Sequence, residues 1–70
     1  MYDKSQFRRV VMEINRLIMK GHVVRVNYDK IRITRAYIGM NCIVVRDDFK
    51  KYHEVFGDFE VDGKPFQLDE

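Results

Sequence analysis

An α+β fold is what this chain predicts, with an N-terminal amphipathic helix packed on a three-stranded antiparallel sheet, a short second helix and a C-terminal β-hairpin, in the order α-β-β-β-α-β-β. Three observations lead there. Apolar residues between Phe7 and Ile18 recur at a helical period, from Val24 the period drops to two, and Asp62-Gly63 divides two short runs that begin and end on phenylalanine. Seventy residues make one domain, spanning 1-70, in the size range where a single core is marginal.

The helix is expected from about Lys4 to Lys20. Phe7, Val10, Val11, Ile14, Leu17 and Ile18 follow the i, i+3, i+4, i+7 pattern and form one stripe. Asp3 with Gln6 three residues later has the form of a capping box, and Gly21 supplies the left-handed residue that ends such helices.

In Val24-Arg25-Val26-Asn27-Tyr28, alternation puts Val24, Val26 and Tyr28 on one face and Arg25 and Asn27 on the other. A two-residue loop at Asp29-Lys30 would pair Tyr28 with Ile31 and Val26 with Ile33, so that partners share a face. The opposite face then gathers Arg25, Asn27, Arg32 and Thr34. A turn at Gly39-Met40 leads into a strand from Asn41 to Arg46, whose apolar run suits a central position.

Asp47 or Asp48 is then read as the cap of a second helix through about Phe56, with Phe49, Tyr52, Val55 and Phe56 on its inner side and Gly57 as its stop. Residues 59–66 read as a hairpin. Its Asp-Gly pair favours a type I′ turn, Phe59 falls opposite Phe66, and Pro65, which has no amide donor, assigns the ribbon to a sheet edge.

Charge divides the chain sharply. Residues 1–46 hold ten Lys and Arg against three acids, whereas residues 47–70 hold three Lys against eight acids. The basic part is expected to meet a polyanion or an acidic protein surface. Arg25, Lys30 and Arg32, with Arg35 and Arg46 nearby, are the candidate phosphate contacts, and Tyr28 and Tyr37 the candidate stacking residues. A second candidate surface lies on the outer face of the first helix. There Met12 and Met19 fall beside Arg8, Arg9 and Arg16, and Met and Arg are enriched where proteins touch proteins.

Other chemistries find no motif. Cys42, His22 and His53 lie too far apart in sequence for a structural zinc site, and a lone cysteine excludes an intramolecular disulfide. The spacing from Asp58 to Asp69 imitates a calcium loop, but Glu60, Pro65 and the terminal Asp are wrong for one, and a plain Asp-Gly hairpin accounts for the same letters. Cys42 sits in an apolar strand, and neither histidine has the spacing of a general base with an orienting partner. No apolar run approaches the roughly 20 residues a membrane helix needs. With one thiol and no leader-like opening, a reducing cytoplasm is the expected compartment.

The expectation is therefore a small cytoplasmic regulatory or accessory protein, not an enzyme, with no cofactor, metal or small-molecule substrate. It docks its basic surface on nucleic acid. The alternative is a protein-protein modulator or inhibitor of phage or mobile-element type, and a homodimer is a further partner to test.

Overall fold

The computed structural model describes residues 2–68 and shows a single helix with two three-stranded antiparallel sheets, a small α+β fold. A 3-10 turn, Lys4–Gln6, leads directly into α1, Phe7–Met19. The entry is fixed as expected: the Asp3 amide donates to Gln6 Oε1 at 2.9 Å, and the Gln6 amide to the Asp3 carbonyl at 2.8 Å. At the exit, Gly21 has φ +94°, its amide donates to the Ile18 carbonyl at 3.0 Å, and the His22 amide to the Leu17 carbonyl at 3.1 Å. These two bonds form a Schellman motif, which the missing Cβ of Gly21 permits.

The helix stripe is buried at Phe7, Val10, Val11 and Ile14 and half-buried at Leu17 and Ile18, where the helix runs past the end of the sheet core. The opposing core is formed by Val24, Val26, Ile33, Ala36, Ile43, Val45, Val55 and Phe59. Asn15 is a polar member of the packed side of α1. Its side-chain amide donates to the Ala36 carbonyl at 3.0 Å, and its Oδ1 accepts the Ala36 amide at 2.8 Å. A helix side chain thus satisfies a strand edge that would otherwise be open.

The strands are β1 (Val24–Val26), β2 (Ile33–Ile38), β3 (Ile43–Asp47), β4 (Tyr52–Val55), β5 (Phe59–Val61) and β6 (Lys64–Pro65). One sheet has the order β1-β5-β6 and the other β2-β3-β4. The expected single sheet of the first three strands is therefore corrected. Val24 pairs with Val61 and Val26 with Phe59, and β1 meets β2 only through the bridge Arg25 to Arg32. The bridge shifts the expected register by two residues. The loop closes over residues 27–30, with the Lys30 amide on the Val26 carbonyl at 2.7 Å and Lys30 at φ +57°. A two-residue shift preserves the faces, so Arg25 and Arg32 still point outward, but Tyr28 leaves the core face and is exposed.

Within the second sheet, Ile38 pairs with Ile43, so the third strand begins at Ile43 and not at Asn41. The Gly39 amide closes that loop on the Cys42 carbonyl at 2.8 Å. A register irregularity between Ile33 and Arg35 turns both Thr34 and Arg35 outward while Ile33 and Ala36 stay buried. β3 is central, as its apolar run suggested.

The second helix is absent among the described residues. In its place stands the β3-β4 hairpin. Asp47 Oδ1 accepts the Phe49 amide at 2.7 Å and the Lys51 amide at 2.9 Å, and Lys50 takes φ +66°. Of the four residues assigned to a helix interior, only Val55 is buried; Phe49, Tyr52 and Phe56 are exposed. The C-terminal hairpin forms as expected. Asp62 and Gly63 have φ +52° and +83°, as a type I′ turn requires, and the Phe66 amide donates to the Phe59 carbonyl at 2.8 Å. β6, with Pro65, is an edge strand.

Candidate nucleic-acid interface

The outward residues of β2, β3 and β4 form two cross-strand rows. Arg35 pairs with Arg46 and Arg46 with Tyr52; Tyr37 pairs with Val44 and Val44 with Glu54. The Arg35 guanidinium lies 5.7 Å from the centroid of the Tyr37 ring, and Tyr37 and Tyr52 have centroids 5.9 Å apart with planes tilted by 51°. Among the described residues, neither Arg35 nor Arg46 pairs with a carboxylate, and Arg46 Nε is buried without a hydrogen-bond partner. Two guanidinium groups directly opposite one another repel, and an anion placed over them removes that cost.

The structure thus brings Arg35, Tyr37 and Arg46 together and adds Tyr52. Tyr52 is absent from the sequence-predicted site because the helix expected over residues 47–56 turns it to an inner face. Its own signal, the alternation of Tyr52-His53-Glu54-Val55, was short enough to be overlooked.

Arg25, Lys30 and Arg32 form a separate group. Arg25 and Arg32 are exposed bridge partners, but an Arg25 Nη1 donates to the Lys30 carbonyl at 3.0 Å and Lys30 Nζ pairs with Glu60 at 2.6 Å. They line one side of an open cleft of about 320 Å³ whose other side carries Asp47, Asp48 and the exposed Phe49. Acids therefore offset this group's charge. Tyr28 is elsewhere again. Its hydroxyl donates to the Glu54 carbonyl at 3.3 Å and its ring covers Gly57, where a Cβ would lie 2.9 Å from Tyr28 Cδ1.

On the free face of α1, Arg8, Arg9, Met12, Arg16 and Met19 do gather. Met12 and Met19 are 63% and 88% exposed, so neither belongs to the core. Arg16 is tied to Glu13, with Nε donating at 3.0 Å. Arg9, Met12, Glu13 and Arg16 form an open groove with Leu68.

The remaining chemical groups are engaged in the fold. Cys42 is buried and its thiol donates to Glu54 Oε2 at 3.3 Å; burial first, and then that carboxylate, push its pKa up, away from a reactive thiolate. His53 Nε2 lies 2.7 Å from Asp47 Oδ2, and His22 Nδ1 lies 2.6 Å from Asp62 Oδ2. Among the described residues no cluster of three or more His, Cys, Asp and Glu gathers to hold a metal ion, and no helix is long and apolar enough to cross a membrane. Comparison of the chain with protein-family models, with curated proteins and with solved structures found no match.

Proposed function

We propose that this protein is a small binding protein, not an enzyme, that takes nucleic acid on the outer face of β2, β3 and β4. The observation that carries the proposal is the assembly of Arg35, Tyr37, Arg46 and Tyr52 on one face with no carboxylate partner for either guanidinium among the described residues. Arginines at this spacing take phosphates, and tyrosine rings beside them offer stacking platforms to unpaired bases, which favours single strands over duplexes. Regulation or accessory action then consists of covering the strand.

Anisotropy titration of labelled single-stranded oligonucleotides tests this. Each base stacked on an aromatic ring contributes about 1–3 kcal/mol, so Tyr37→Ala with Tyr52→Ala lowers affinity by at least tenfold while the circular dichroism spectrum is unchanged. Absence of binding at about 50 mM salt, where phosphate contacts are strong, rejects the proposal. So does unaltered affinity in the folded double variant. The protein-modulator alternative is supported by the groove beside Met12 and the exposure of both methionines. It predicts that Met12→Glu with Met19→Glu abolishes partner capture that survives nuclease treatment.

A further inference from the structure

The two outward rows of β2, β3 and β4 run Arg35-Arg46-Tyr52 and Tyr37-Val44-Glu54. Glu54 is the one acid in these rows. An exposed carboxylate on a face that takes phosphates lowers affinity by repulsion, unless it meets a part of the strand that carries hydrogen-bond donors. This carboxylate is also held in place. Glu54 Oε2 accepts the thiol of the buried Cys42 at 3.3 Å, and the Glu54 carbonyl accepts the Tyr28 hydroxyl at 3.3 Å, so side chain and backbone are both fixed from neighbouring segments. The thiol uses one of the carboxylate's roughly four lone-pair sites. Among the described residues no cation pairs with the others.

We propose that Glu54 reads guanine, accepting the N1–H and the N2 amine of a guanine stacked beside Tyr37, and so gives this face a preference for single strands that contain that base. The inference rests on the nucleic-acid reading of the face. The pattern of donors decides the base. A carboxylate offers two acceptors side by side, and along the Watson–Crick edge guanine alone sets two donors side by side. Adenine and cytosine each set their amine next to an acceptor nitrogen, and the single N–H of thymine or uracil lies between two carbonyls whose oxygens repel a carboxylate. The reach fits as well. Glu54 stands two strand spacings, about 10 Å, from Tyr37 across Val44, a small half-buried residue over which a base can lie from ring to carboxylate. In a duplex both guanine donors are taken by cytosine, so the same carboxylate favours unpaired strands.

Anisotropy titration of the full chain with short thymine strands that carry one guanine, adenine, cytosine or hypoxanthine is the test, at about 50 mM salt, where phosphate contacts are strong. Hypoxanthine is guanine without the N2 amine. The guanine strand is expected to bind at least about tenfold more tightly than the adenine, cytosine and all-thymine strands, and the hypoxanthine strand to lose most of that gain. Glu54→Gln sets an amide donor against a guanine donor. It should cut the preference to less than about threefold, while affinity for the all-thymine strand holds or rises because a repulsive charge is gone. Should that variant unfold, the hypoxanthine comparison on wild type decides, since it alters the strand and not the protein. Equal affinity for the guanine and adenine strands overturns the proposal. So does a hypoxanthine strand that binds as tightly as the guanine strand, or a guanine preference that survives in folded Glu54→Gln. Failure of the nucleic-acid reading looks different, because then no strand binds, and that result overturns both.

Discussion

Asp47 shows how much of this fold rests on one side chain. It is the buried charged residue of the described chain, and its carboxylate closes the β3-β4 turn on two amides while Oδ2 holds His53. The His53 hydrogen bond, and after it the Lys51 amide, hold its pKa below the ordinary 3.8. The sign of the consequence follows from linkage. A carboxyl whose pKa is lower folded than unfolded contributes stability that is complete above the unfolded value and is lost as pH falls through the folded one. Asp62, held down by His22 and the Val23 amide, acts in the same direction. The thermal midpoint should therefore fall as pH drops below about 4. Asp47→Asn keeps the one oxygen that accepts both amides but removes the charge and replaces the oxygen facing His53 with an amide nitrogen. It should lower the midpoint at neutral pH and make the acid decline shallower, which a pH series of calorimetric scans would check. Parallel declines in variant and wild type would mean that Asp47 carries none of the acid sensitivity.

At the scale of elements, what was legible depended on the length of a pattern and on whether its cause was local. The helix was readable because six apolar residues repeat over three turns, and the C-terminal hairpin because Asp-Gly supplies two left-handed residues in succession. Residues 47–56 were misread because Asp after a strand is one signal with two meanings. A carboxylate that accepts the amide two residues on can cap a helix or close a turn, and Phe49, Tyr52, Val55 and Phe56 are too few to separate the periods. The partner of β1 was invisible for another reason. Phe59–Val61 lies far along the chain, and nothing local to Val24 names it. Reading residues 47–56 as a helix takes Tyr52 off the candidate site, and pairing β1 with β2 in one sheet puts Arg25 and Arg32 at its centre. Lys50 distinguishes the two forms of residues 47–56 by the sign of one measurement. At φ +66° a lysine is strained, so Lys50→Gly should stabilise the hairpin by about 0.5–1 kcal/mol, whereas glycine inside a helix would cost about 1 kcal/mol. Chemical denaturation reads the sign directly.

At the scale of the whole molecule, the charge division of the sequence does not survive as a division of the surface. β5 brings the acidic end beside the basic start, so Glu60 faces Arg25 and pairs with Lys30, and Asp62 holds His22. Chain folding thus sets carboxylates around Arg25, Lys30 and Arg32, with Lys30 paired to Glu60, Arg25 opposite it and Arg32 across a cleft from Asp47 and Asp48, whereas Arg35 and Arg46 pair with no carboxylate among the described residues. The contrast has a thermodynamic signature. On single strands each phosphate contact contributes about 0.7 to the slope of log affinity against log salt, so two contacts from Arg35 and Arg46 give about 1.4. Arg35→Ala with Arg46→Ala should remove most of that slope. Arg25→Ala with Arg32→Ala should leave it nearly intact, because neighbouring carboxylates already offset those charges. Salt titrations of wild type and the two double variants on one oligonucleotide separate the cases, since loss of slope in the Arg25 and Arg32 variant alone would place the phosphate path over the cleft beside Phe49 and off the tyrosine face.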